Sequence, residues 1–478
     1  MADEASYTIV AIGSGFACTF FLERYLRTAD PGARVLVLER GPRMSREEQI
    51  DRLPEEPLAG ASLIERRGAL DKTWRFSVGF GGGSNCWWGC TPRMLPSDFE
   101  MRTRYGVGED WPISYDTLES YYCEAEEMMS ISGPATPPYP MSRPYPLPPH
   151  RFSDVDRLMQ GHFGAAYVQQ PTARASRATA LRNECCAGAV CSLCPVNAKF
   201  TIENDMAHVY DDPRVTLMTQ AEAVEVLTRG DVAEGVRYRK DGAEVAVAAE
   251  IVLLGANAIF NATLLLRSGF ADHSLGRYLS EQCGVEAHVN LAGVKNFAGS
   301  TVMTGSGFMF YDGPHRAEHA GCLVEGWNRV KPRLDYGRWA ETVSFRLIYE
   351  DLPQATNRVT LPDDGSDWPV VTYDARSAYL EAGLASAPRT FEELLAPLPV
   401  ESYRILDPTT NEAHILGTAR MGEDPETSVV DADLVHHRVR NLLVLGGSSF
   451  VTCAPANPTL TLSALSLRAA DRLSRSQA

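Results

Sequence analysis

"YTIVAIGSGFACTFFLERYLRTADPGARVLVLERG" constrains the fold more than any other stretch. Tyr7 to Gly13 is a short β-branched apolar run ending in glycine, the pattern of a buried parallel strand. Apolar spacing suited to a helix follows, stopped by the "DPG" at Asp30 to Gly32. "ARVLVLERG" is a second buried strand, ending at Glu39. Two parallel strands need a crossover, and a right-handed βαβ unit opens a doubly wound sheet.

The turn inside this unit carries Gly13 and Gly15, with Phe16, Ala17 and the small Cys18 opening the helix. Glycines there let backbone approach a pyrophosphate, and the helix N-terminus offers free N–H groups and a positive dipole end. Glu39, followed by Arg40, stands where an acidic side chain accepts hydrogen bonds from a ribose. Between two good strands this pattern predicts a bound dinucleotide, and it does not by itself separate FAD from NAD.

At 478 residues the chain is too long for one ordinary core, so more than one domain is expected. A formal charge of -16 argues against a nucleic-acid partner or an anionic membrane. No run of eighteen apolar residues appears, so no membrane span is expected. "MADEASYTIVAIG" lacks a basic region and a cleavage site, which reads as a cytoplasmic start.

Alternating β patterns from Arg214 to Leu254 predict a small meander leading back into the parallel sheet. From about Val285 to Asp407 the alternation persists around one helical segment, Ala378 to Leu395, and predicts a mostly antiparallel domain. "NLLVLGG" is a last buried strand, before a final helix. The fold expected is α/β (α+β overall). Residues 1–284 would form a Rossmann-like nucleotide-binding domain with loop insertions at about 60–200. Residues 285–407 would form the substrate domain, and 408–478 would complete the first.

"GGGSNCWWGCTPRMLPSDF", "DWPISYDTLESYY", "LLGANAIFNATLLLRSGF", "NRVTL" and "HILGTARMGEDPETSVVD…NLLVLGGSSF…ANPTLTLSALSLRAAD" together resemble the glucose–methanol–choline (GMC) oxidoreductases. With the opening βαβ unit they cover nearly the whole chain, most thinly from about Val285 to Leu352. The resemblance implies FAD and oxidation of a hydroxyl-bearing substrate, a sugar, glycoside or polyol being the first expectation. The electron acceptor would be oxygen or another carrier.

Position by position, the resemblance implies that Gly13, Gly15 and Glu39 hold the adenosine and pyrophosphate. Gly82, Gly83 and Ser84 would approach the pyrophosphate and flavin, the Val224 backbone would meet the adenine, and Ala256 would belong to the same site. Gly446 and Gly447 would lie near the pyrophosphate and ribitol. Cys86, before Trp87, occupies the place where some relatives attach flavin through a histidine, and reads here as a thioether link or a small packed thiol. Trp87, Trp88, Trp111 and Tyr349 are candidate stacking faces for substrate.

Alcohol oxidation needs the hydroxyl proton removed as hydride leaves carbon, and a neutral histidine suits that role. The resemblance assigns it to His414 in "HILGT", with Asn457 hydrogen-bonding the same oxygen. Alone, His414 reads as a structural loop residue. Asn457, followed by Pro458 and Thr459, also reads as a helix N-cap with proline at the first helical position. A GMC-fold lyase without net flavin redox is the alternative activity.

"ECCAGAVCSLCPVNAKF" places Cys185, Cys186, Cys191 and Cys194 within ten residues. Soft ligands ending in Cys-Pro suit an iron–sulfur cluster, and certain sugar dehydrogenases of the family carry one at a similar segment. This sequence has one residue fewer between its last two cysteines. Adjacent Cys185 and Cys186 suit tetrahedral zinc poorly, and plain thiols are the third reading. A cluster would make the chain a dehydrogenase subunit feeding an electron carrier.

Overall fold

A computed structural model describes residues 6–51, 62–329, 331 and 333–477. The opening βαβ unit forms as its pattern predicts. Strand Ser6–Ile12, helix Phe16–Leu26 and strand Val35–Leu38 follow in order, with both strands paired in parallel and Ile9 to Ala11 and Val35 to Val37 fully buried. Strand Val215–Met218 adds in parallel beyond Val35–Leu38. It lies inside the stretch read as meander but belongs to the parallel sheet, because its partner is a buried strand edge and not a hairpin neighbour.

The meander proper is Glu222–Arg229, Val232–Lys240 and Ala243–Leu254, paired antiparallel. The last of these strands is long enough to do two jobs. Its first half closes the meander, and its second half pairs in parallel with Ser6–Ile12 on one side and Leu442–Val444 on the other. The result is a 7-stranded sheet. Helix Phe16–Leu26 packs against the final helix, Thr459–Gln477. That contact brings the chain's two ends together at the glycine turn.

A second, 6-stranded antiparallel sheet runs in the order Val400–Ile405, Cys283–Leu291, Thr342–Tyr349, Cys322–Trp327, Met303–Gly307, Tyr167–Gln169. Five strands come from the stretch expected to form the substrate domain, and the sixth is recruited from the upstream loops. One face is apolar: Val285, Ala287, Val324, Val343, Phe345 and Leu347 pack in one core with Phe391 and Leu394 of helix Ala378–Leu395. Alternation then turns the intervening residues to the opposite face. Across three strands, register sets Glu286 opposite Arg346 and Arg346 opposite Glu325. This polar row faces the cavity described next. Among the described residues no helix is long and apolar enough to cross a membrane.

Candidate active site

One cavity of about 710 Å³ runs from the glycine turn to the polar face of the second sheet. Its floor is built from close backbone approaches. Gly13 has φ +95°, and a Cβ there would stand 2.7 Å from the Gly255 carbonyl oxygen, so only glycine fits. Gly82 has φ +49°, and a Cβ would stand 3.3 Å from Gly15 Cα. The loop at Gly81–Asn85 is thereby seated directly on the phosphate turn. Cys18 fills the space left by Gly255, and burial pushes its thiol up to about 12.

Glu39 is buried at the mouth of the turn and accepts from the Ser14 N–H at 3.1 Å, the Ser14 hydroxyl at 2.6 Å and the Gly41 N–H at 2.9 Å. It therefore shapes the turn while still lining the cavity. Arg40 beside it pairs with Glu222 at 3.3 Å and covers the Phe260 ring.

Gly13, Gly15, Phe16, Ala17, Glu39, Arg40, Gly82, Gly83, Cys86, Trp87, Ala256, His414, Gly446, Gly447, Asn457, Pro458 and Thr459 all line this cavity. Two of the expected cofactor-binding residues do not. Val224 lies off it, and Ala221, Glu222 and Ala223 line it instead, because the cavity touches only the start of that meander strand. Ser84 is buried behind the loop: its hydroxyl donates to Gly81 O at 2.7 Å and accepts the Ile202 N–H at 3.0 Å, so it fastens the loop.

His414 sits in a loop under tension. Ala413, immediately before it, has φ +61°, in the left-handed region that costs a non-glycine residue about 1 kcal/mol. Glu281 offsets this, its Oε1 accepting the backbone N–H groups of Glu412 and His414, each at 2.8 Å. Glu281 is itself paired with Lys72. The His414 Nδ1 lies 2.5 Å from Gln282 Oε1. Burial, then the nearby cations Arg346 and Lys72, lower its pKa to about 3. The imidazole is therefore neutral at ordinary pH, the form a base requires.

Asn457 departs from the helix-cap reading. The final helix begins at Thr459, where the Leu462 N–H bonds Pro458 O. The Asn457 Oδ1 is buried and has no hydrogen-bond partner among the described residues. Asn457 is thus not the helix cap; Pro458 holds that place, and the amide faces the cavity unspent. A buried, unpaired acceptor costs about 1–3 kcal/mol. That cost fits a group reserved for a ligand.

The far end of the cavity is polar and aromatic. Arg346 binds Glu412 at 2.7 Å while its Nε has no hydrogen-bond partner among the described residues. Glu286 is held by Lys331 at 2.9 Å and His288 at 2.9 Å. Glu325 is buried beside the Trp327 indole, and burial, opposed by Arg346, raises its pKa to about 7. The ring centroids of Trp88 and Trp327 lie 5.2 Å apart. Of the expected stacking faces, Trp87 and Trp88 line the cavity. Trp111 instead packs against Phe99 and Phe450, and Tyr349 is buried on the apolar side of the sheet. Register explains Tyr349: it lies an odd number of positions from Arg346, so it points the other way.

The cysteine quartet does not form a ligand set. Cys186 is exposed and Cys191 buried, the Cys185 thiol donates to the Thr301 hydroxyl at 3.5 Å, and Cys194 Sγ accepts the Ala198 N–H at 3.2 Å. Among the described residues no three His, Cys, Asp or Glu side chains are placed to hold a metal ion. That placement supports neither the iron–sulfur nor the zinc reading.

Family models for GMC oxidoreductases match residues 60–283 and 353–466. The chain belongs to the GMC oxidoreductase family. This GMC protein is 27% identical to the fructose dehydrogenase large subunit of Gluconobacter japonicus, covering 99% of each chain. It is 26% identical to the paromamine 6'-oxidase of Streptomyces fradiae, covering 98% of this chain and 91% of that one. A solved FAD-dependent oxidoreductase from Chaetomium thermophilum shares the fold at TM-score 0.70 and 16% identity, covering 98% of this chain and 99% of that one. The protein is an FAD-dependent oxidoreductase of CH–OH groups. The glycine cradle and the size of the cavity fit FAD, which Gly13, Gly15, Glu39, Gly82 and Gly446 would hold.

Proposed function

We propose that this GMC enzyme oxidises a hydroxyl group of a sugar or polyol, with His414 as the base and Asn457 holding the reacting oxygen. The observation that carries this reading is the pairing of their states in one cavity: a neutral imidazole whose Nδ1 is already engaged, and an Asn457 amide with no side-chain hydrogen bond. Bound FAD supplies the acceptor for the hydride. The protein's part is to place the substrate carbon, take the hydroxyl proton at His414 Nε2 and stabilise charge developing on oxygen through donation from the Asn457 Nδ2 hydrogens.

The substrate class follows from the far wall. A sugar has hydroxyl edges and apolar CH faces. The row Glu286–Arg346–Glu325 offers acceptors and donors for neighbouring hydroxyls, and the Trp88–Trp327 pair offers a stacking surface. The names of two relatives, a fructose dehydrogenase and a paromamine oxidase, agree with that reading.

The test is anaerobic flavin reduction by D-fructose, paromamine and choline, followed at the flavin absorbance, in the native enzyme and in His414→Ala. Bleaching by a sugar and not by choline is expected, with the variant slowed by about 10²- to 10⁴-fold while retaining FAD. Near-normal reduction in His414→Ala would remove the base. Failure of every sugar to bleach the flavin would remove the substrate class and favour a lyase.

A further inference from the structure

We propose that Gln282 is a positioning residue that locks His414 in the tautomer bearing hydrogen on Nδ1 and ties it to the segment carrying Asn457. This rests on the reading of His414 as base, but its geometry is independent of that reading. Gln282 is 1% exposed and directly precedes strand Cys283–Leu291. Its Nε2 donates to Ala454 O at 2.7 Å and to Ala456 O at 2.9 Å. Carbonyl oxygens only accept, so the end of the amide that faces them must be the NH₂, and both of its hydrogens are spent there. The other end, Oε1, then faces His414 Nδ1 at 2.5 Å. An amide oxygen only accepts. The hydrogen between them therefore belongs to Nδ1, and the neutral ring keeps its lone pair on Nε2, the nitrogen left to take a substrate proton.

The same amide acts on the second half of the site. Ala456 precedes Asn457, and its peptide is held from both sides. Its carbonyl accepts from Gln282, and its N–H reaches the Tyr311 hydroxyl at 3.3 Å, which in turn donates to Asp98 at 2.7 Å. One side chain thus fixes the proton inventory of the base and the position of its partner. The adjacent Glu281 holds the same loop by its backbone, so consecutive residues divide the work: Glu281 sets where His414 is, and Gln282 sets which nitrogen is free.

The test uses FAD-loaded enzyme labelled with ¹⁵N-histidine, the His414 signals being assigned by their loss in His414→Gln. The expected spectrum shows a protonated Nδ1 and a bare Nε2 for His414 between pH 5 and 8. A native enzyme with the hydrogen on Nε2 overturns the proposal, whatever any variant does. Gln282→Leu should retain FAD, convert His414 to a mixture of tautomers and slow D-fructose-driven flavin reduction about 10-fold or more in the limiting rate with little change in KM. A Gln282→Leu enzyme whose His414 tautomer is unchanged also overturns it. A locked tautomer together with normal reduction in His414→Gln would sink the catalytic reading and leave this inference standing.

Discussion

Glu281 holds His414 by the backbone: its Oε1 accepts the His414 N–H at 2.8 Å while its other oxygen meets Lys72. Both partners of that ion pair are buried, at 1% and 9% exposure. Removing one charge leaves the other uncompensated in the interior, which costs about 3–5 kcal/mol, whereas removing both is far milder. Lys72→Met should therefore lower the thermal midpoint more than Lys72→Met combined with Glu281→Gln. In the double variant a neutral oxygen at position 281 still accepts from the loop, so flavin reduction should survive within about 10-fold. Additive losses of stability in the double variant would show that the pair is not coupled.

Much of this site was legible in the sequence because its parts are local. The turn at Gly13 and Gly15 is dictated by backbone conformation, and glycine is the residue type that conformation demands. His414 was legible only through the company of the family blocks. What escaped was set by tertiary register. Nothing local in "LSEQCGV" distinguishes Gln282, whose partners lie more than 130 positions away. Glu286, Arg346 and Glu325 form a wall only because three strands align, and period-two alternation could not say which face would look at the cavity. Asn457 reads locally as a cap, and the helix starting after Pro458 is a matter of packing at the glycine turn. The cysteine quartet is read from close spacing alone, and spacing does not say whether thiols converge; among the described residues they are not placed as a metal-holding set.

The pH dependence of the base follows from its burial. His414 has its pKa lowered from 6.5 to about 3, with Arg346 and Lys72 adding to the effect of burial and the Glu281 and Glu412 carboxylates close by. The sign is fixed by linkage. Below pH 6.5 the unfolded chain takes up a proton that the folded site refuses, so the contribution of His414 to stability is present above that pH and is lost as pH falls towards 3. For activity, the base form persists throughout that window. The acid limb of the limiting rate of flavin reduction, at saturating substrate, should thus lie well below pH 6.5, and a limb at 6.5 in that rate would contradict the neutral, buried imidazole.

Gly82 offers a test of the cofactor cradle that leaves the catalytic pair untouched. At φ +49° an alanine is strained by about 1 kcal/mol, and its Cβ would press on Gly15 Cα from 3.3 Å. Either the loop or the turn must shift by a few tenths of an ångström. Gly82→Ala should weaken FAD retention, measured by fluorescence on dilution, by about 10-fold, with limiting flavin reduction in the saturated enzyme nearly unchanged. An unchanged FAD affinity would mean that the approach of the two glycines has no bearing on the cofactor.

Glu325 reports on substrate rather than on cofactor. Burial raises its carboxyl from 4.5 to about 7, with Glu412 adding to the rise and Arg346 and Arg174 opposing it. Its contribution to stability is present below pH 4.5, where both states are protonated, and is lost as pH rises through about 7. Across that same range the cavity wall changes from a neutral acid to a carboxylate, a stronger acceptor for sugar hydroxyls. KM for D-fructose should fall as pH rises from 6 to 8 in the native enzyme. In Glu325→Gln it should be pH-independent over that range and about 10-fold or more higher at pH 8, consistent with the loss of a charge-assisted hydrogen bond. A KM profile that keeps its slope in Glu325→Gln would assign the titration elsewhere in the cavity and take Glu325 out of substrate recognition.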